Sequence, residues 1–223
     1  TIFSIMKETL SKLSIYDHFG YILVGLYQIL LVYLLLCLLE VLNWGDILEF
    51  IKIESSVIVL IISYFLGHII QATSNLFEGL LSKKLLKGEE DKKEKGNDQF
   101  IYVYEKAKKF FNLPNEIKQK IVFQYCYLYA LSNDLGGQIA LFNSSYSFYR
   151  GLFISSSINF IILLMLGVSS FFIPQTAFLK TEFLFYLFII LNIAIIFLFY
   201  NRKERFFKYF GEKVLINFDI ISR

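Results

Sequence analysis

The chain has little of what a secreted, nucleotide-hydrolysing or metal-dependent protein needs. Two cysteines, Cys37 and Cys126, cannot build a disulfide framework. The two histidines, His18 and His68, stand in no paired zinc spacing and beside no C-x-x-C. There is no G-x-x-x-x-G-K-[ST] phosphate loop, no G-x-S-x-G nucleophile turn and no R-x(4-6)-H pattern of the kind many small helical ribonucleases use. Charged residues make up 18% of the chain, below the ~25% usual in soluble domains. A formal charge of +3 is too small for a nucleic-acid footprint. The chain is therefore expected to be no enzyme, to hold no cofactor and no metal, and to make no direct nucleic-acid contact. Only two prolines interrupt 223 residues, so long helices are expected.

What is present is apolar surface. Residues of the AVILMFWYC set make up 56% of the chain, with 25 Phe and 15 Tyr. A bilayer core needs about 20 mostly apolar helical residues, and four such windows are free of Lys, Arg and Asp. They are residues 21–42 (YILVGLYQILLVYLLLCLLEVL), 55–74 (SSVIVLIISYFLGHIIQATS), 152–173 (LFISSSINFIILLMLGVSSFFI) and 183–200 (FLFYLFIILNIAIIFLFY). Core helices of soluble domains rarely run so long without a charged face. The expected fold is an all-α polytopic membrane protein, with four transmembrane helices and a helical cytoplasmic insertion between spans two and three. Residues 1–20 lack a signal-peptide pattern, so the first apolar segment is expected to stay in the mature protein. Position 1 is Thr, and an initiator Met is expected to have preceded it with little else missing.

Basic residues set the orientation. Of 22 Lys and Arg, only Lys52 and Lys180 fall in the two short connections; the others lie in the ends and in the segment between spans two and three. Both termini and that segment are expected in the cytoplasm, with the protein in the inner membrane.

The expected organisation is an interfacial N-terminal helix over 1–20, a transmembrane hairpin over 21–74, a cytoplasmic helical insertion over 75–151, a second hairpin over 152–200 and a cytoplasmic tail over 201–223. Within the insertion, 83–98 (KKLLKGEEDKKEKGND) reads as a mobile, solvated charged loop. Phe100, Val103, Tyr104, Ala107 and Phe111 recur at helical spacing opposite Glu105, Lys106, Lys108 and Lys109. Pro114 ends that helix, and a second is expected over 114–132 with Ile117, Ile121, Val122, Tyr125, Leu128 and Tyr129 as its apolar face. Ile2, Phe3, Met6, Leu10, Leu13 and Phe19 give residues 1–20 an apolar side. Phe206, Phe207, Phe210, Val214 and Phe218 allow the tail either to lie on the inner leaflet or to cover the middle helices.

Polarity within the spans is the remaining functional signal, because polar and ionisable groups at membrane depth are costly and turn toward protein or water. Tyr64, His68, Gln71, Asn75 and Glu78 form one stripe on span two. It reads either as a hydrogen-bonding seam against another helix or as the lining of an ion path. Gly151, Ser155 and Asn159 form a strip on span three that permits close helix packing. Arg150, Arg202, Lys203 and Arg205 are placed to contact headgroups. Gln28 and Asn192 are expected to be partners within the bundle, and Glu40 lies near the outer end of span one. Cys37 and Cys126 are expected as reduced, structural thiols.

The stretches Tyr16-Asp17-His18-Phe19-Gly20-Tyr21-Ile22-Leu23 and Tyr64-Phe65-Leu66-Gly67-His68-Ile69-Ile70-Gln71, set in this four-span layout with a charged middle, give a chain that resembles small multi-pass proteins accompanying prokaryotic antiviral systems. Membrane accessory proteins of RNA-targeting CRISPR loci are among these. The resemblance implies a membrane effector or modulator that answers a cytoplasmic event by altering the envelope. Together these readings lead to an inner-membrane protein, expected to be homo-oligomeric, that forms or gates a permeation path. The alternative is a membrane anchor that docks a cytosolic protein and forms no pore.

Overall fold

Long apolar runs almost free of proline satisfy their backbone hydrogen bonds as helix. The computed structural model describes the backbone of residues 2–39, 41–42, 53–93, 98–134, 137–172 and 182–222, and the side chains of 20–39, 41–42, 57–77, 100–134, 137–168 and 183–222. Among the described residues six helices follow one another: α1 (Ile2–Leu38), α2 (Ile53–Lys93), α3 (Asp98–Phe110), α4 (Gln119–Ser132), α5 (Gln138–Phe172) and α6 (Glu182–Ile221). No strand occurs among the described residues. Among the described residues four helices are long and apolar enough to cross a membrane, through Gly20–Leu38, Val57–Phe77, Gln138–Val168 and Phe183–Ile221. The chain is an all-α polytopic membrane protein.

The contacts divide it into two compact units, one of Thr1–Asn75 with Ser147–Lys203 and the other of Leu76–Tyr146 with Glu204–Arg223. In the first unit α1 and α2 run antiparallel in close contact. A Cβ at Gly25 would overlap the main chain of Ser63, and a Cβ at Gly67 would overlap that of Tyr21. Small residues let two backbones approach this closely, and dispersion between them is what lipid cannot supply equally well. Helices α1 and α5 run in the same direction: the Tyr27 hydroxyl lies 2.8 Å from Ser156 Oγ, and further along Leu35 and Leu38 share a cluster with Leu163. Helix α6 returns antiparallel to α5, with Phe199 beside Tyr149 at one end and Phe185 against Gly167 at the other.

The second unit has its own core. Val103 and Ala107 of α3, Val122, Cys126 and Ala130 of α4, Ile139 of α5 and Val214, Leu215 and Phe218 of α6 are buried together. The tail thus covers the middle helices. Phe218 packs among Phe110, Phe111 and Tyr129, and Lys106 Nζ donates to Asp219 Oδ1 at 2.7 Å and to its backbone carbonyl at 2.9 Å. Helix α3 ends at Phe110; beyond it Asn112 has a left-handed φ of 51°, and the Leu113 amide bonds back to the Lys108 carbonyl at 2.9 Å. That arrangement satisfies carbonyls the helix end leaves open, and Pro114 follows it. Asp134 Oδ2 accepts the Ile139 amide at 2.7 Å and so caps the start of α5.

Three local expectations change. Helix α4 begins at Gln119, because Pro114 and Ile117 close a turn and Lys118 is extended. Its buried face is Val122, Cys126 and Ala130, whereas Ile121, Tyr125 and Leu128 are exposed. The segment is apolar nearly all round, so periodicity could not select the face. Residues 83–93, expected as a charged loop, continue α2 as helix. Leu, Lys and Glu are good helix formers, and Glu89 to Lys93 has the favourable spacing of four. Residues 94–97, Glu40, the connections 43–52 and 173–181, and the side chains of 1–19 lie outside what is described.

Candidate functional site

The polar residues of the first unit fall into two levels. At one end Gln71 is buried and fully engaged. Its Nε2 donates to the Ser147 carbonyl at 2.6 Å, its Oε1 accepts from an Arg150 guanidinium nitrogen at 3.2 Å, and Ser74 Oγ donates to its backbone carbonyl at 2.9 Å. Gly151 makes room for this amide, since a Cβ there would lie 2.9 Å from Gln71 Nε2. Nearby, His68 stacks on Tyr21 at 3.9 Å between centroids and meets the Tyr64 ring edge-on at 4.5 Å. On α6, Lys203 Nζ lies over the rings of Phe153 and Tyr200, at 5.5 and 5.1 Å. Charge and tyrosine gathered at one end of a bundle are the composition of a membrane–water boundary.

The stripe expected on α2 is thus split. Gln71 points inward, Tyr64 is half-buried, His68 and Asn75 are exposed, and the Glu78 side chain lies outside the described residues. The buried face of α2 is instead Ser63, Gly67, Ile70, Gln71 and Ser74. Of the basic residues expected at headgroups, Arg150 joins the Gln71 network, Lys203 is held over aromatic rings, and Arg202 and Arg205 are exposed.

The second level lies deeper. Ser155, Ser156, Asn159 and Asn192 are no more than 3% exposed. Asn159 and Asn192 each sit near the midpoint between the two places where α5 and α6 touch, Tyr149 with Phe199 and Gly167 with Phe185, and so share a depth. Gln28 follows Tyr27, whose hydroxyl pairs with Ser156, which brings α1 to the same depth. Within this layer Gln28 Oε1, Ser155 Oγ, Asn159 Nδ2 and Asn192 Oδ1 are buried without a hydrogen-bond partner. Each such atom costs about 1–3 kcal/mol when left dry. Beyond the layer, away from Arg150 and Lys203, Leu35, Leu38, Leu163 and Phe185 form an apolar plug.

The unpartnered atoms of the layer belong to side-chain amides and a serine hydroxyl, so it can hold a polar molecule by hydrogen bonds alone. No group of His, Cys, Asp and Glu able to hold a metal occurs among the described residues. A groove of about 310 Å³ beside α1 and α2, lined by Leu26, Leu30, Val32 and Val59 among others, is almost wholly apolar and suits a lipid chain. Cys126, in the second unit, is sealed by burial, which pushes its thiol up to about 11. Tyr104 is likewise raised, first by burial and then by Cys126.

Sequence reasoning named Ser155 and Asn159 as one packing strip and Gln28 and Asn192 as partners within the bundle, but missed that three helices bring all four to one depth. It also missed Gly25 and Gly67, although Ser63-x-x-x-Gly67 is a recognisable small-residue spacing.

Fold and site together define the class as a four-span α-helical membrane protein with a polar layer inside its bundle. Protein-family models, curated proteins and solved structures offer no match to this chain.

Proposed function

We propose that the chain is a non-enzymatic membrane protein that forms or gates a permeation path through its four-helix unit. The observation that carries this reading is the layer of buried, unpartnered polar atoms of Gln28, Ser155, Asn159 and Asn192. Polar groups at membrane depth that lack protein partners are the usual mark of a hydrated path. The plug of Leu35, Leu38, Leu163 and Phe185 is then its closed gate. In this reading the path runs inside the bundle, and the exposed His68 and Asn75 belong to the headgroup layer near Arg150 and Lys203.

The basic residues at the termini and between spans two and three support an inner-membrane orientation with both ends in the cytoplasm. The second unit, built on α3, α4 and the end of α6, then serves as a cytoplasmic sensing layer. Self-association belongs to the reading, with the uncovered face of α2 (Ile58, Ile61, Phe65, Ile69) as its surface, and native mass spectrometry should return a closed ring. A role in antiviral defence rests on the architectural resemblance alone.

Flux in proteoliposomes separates the two levels. Asn159→Leu and Asn192→Leu should cut it at least tenfold, whereas His68→Leu and Asn75→Leu should change it less than twofold. The opposite ranking would return the path to the α2 stripe.

A docking protein without a pore is the second reading, favoured by Ile121, Tyr125 and Leu128, which line one exposed face of α4. Under it, Leu128→Ser with Tyr125→Ser abolishes partner binding, and polar-to-apolar changes in the spans cost stability while the vesicles stay tight throughout.

A further inference from the structure

The unpartnered atoms of the buried layer carry information about what occupies it. Asn159 Nδ2 is a donor, Gln28 Oε1 and Asn192 Oδ1 are acceptors, and the Ser155 hydroxyl is both. A cation would be met by oxygen acceptors only and an anion by donors only, and no charged side chain stands in the layer to balance either. A molecule that both donates and accepts satisfies the mixed set. An apolar solute leaves all four atoms unpaired, at about 1–3 kcal/mol each.

We propose that this layer is a binding site for water, holding one or more ordered molecules between α1, α5 and α6. Water in protein interiors typically makes about three hydrogen bonds to otherwise unsatisfied polar groups. Here three helices present such groups at one depth, each on a segment flanked by apolar side chains. Ser156 takes no part, because its hydroxyl already pairs with Tyr27 at 2.8 Å. The apolar plug of Leu35, Leu38, Leu163 and Phe185 bounds the site on one side. On the other, Val24, Ile70, Leu152 and Ile154 form a second apolar cluster, so the proposed site lies between two apolar clusters. The inference deepens the permeation reading, in which this water is the polar station between two closures. It does not require conduction.

The test is water-edited solid-state NMR of the isotope-labelled full chain in lipid bilayers. Magnetisation transfer from water to the side-chain amides of Gln28, Asn159 and Asn192 should build up severalfold faster than to the Leu163 methyl groups. In Asn159→Leu the transfer to Asn192 should fall as well, since a shared water loses its donor. Asn192→Asp gives a second variant that keeps the size of the side chain and should retain transfer to Asn159. Build-up at all three amides as slow as at Leu163 would overturn the proposal. So would amide shifts that follow added NaCl or KCl while water transfer disappears, which would assign a cation instead. Fast transfer in a protein that passes no ions or dyes would sink the permeation reading and leave the water site standing.

Discussion

At the scale of single residues, Gly25 and Gly67 set how closely α1 and α2 can approach. A side chain at either position meets main chain, which cannot turn aside as another side chain can. Gly67→Leu is therefore expected to force the helices apart and lower the unfolding free energy in detergent by at least the ~1–3 kcal/mol of an overpacked core. Gly20→Ala, at a position with open space around it, should be neutral or slightly stabilising. Cys126 offers a pH test. Burial pushes its folded pKa to about 11, above the ordinary thiol value of 9.0, so the thiolate form favours unfolding. The stability it contributes is complete below 9.0 and is lost as pH rises toward about 11. Thermal melts of the wild type should fall more steeply across that window than those of Cys126→Ala. Equal slopes would contradict the burial argument.

At the scale of elements, the covering of α3 and α4 by the end of α6 is the contact that builds the second unit. Phe218 is fully buried among Phe110, Phe111 and Tyr129. Phe218→Ala should cost about 3–5 kcal/mol, read as early loss of amide protection in α3 and α4 by hydrogen exchange. Asp219→Ala should cost only about 1 kcal/mol, because the Lys106 pair is partly solvated. Helix α3 was legible in the sequence because Val103 and Ala107 alternate with lysines, so one face alone could be buried. The face of α4 was not, because Ile121, Tyr125 and Leu128 are as apolar as the residues that are buried. Only the neighbours supplied by α6 decide between them. The helical state of residues 83–93 was hidden for a different reason: a charge run states its solubility and not its conformation.

At the scale of the whole molecule, the number of spans was legible because a bilayer imposes a length that short apolar runs cannot imitate. The polar layer was not, since Gln28, Asn159 and Asn192 lie far apart along the chain and share a depth only through helix directions that emerge on packing. Adding trypsin to right-side-out and inverted vesicles should show Lys118 and Lys120 protected in the first and cleaved in the second, if the second unit faces the cytoplasm. The central claim is that a polar path through the first unit is closed by an apolar plug. Its most direct measurement is ion flux into proteoliposomes carrying wild type or Leu163→Ala, alongside Asn159→Leu. Removing the fully buried Leu163 side chain should raise flux at least tenfold, and adding Asn159→Leu to that variant should bring it back toward the wild-type level. Vesicles that stay tight with Leu163→Ala, in protein whose folding is verified by its unfolding midpoint, would contradict the account.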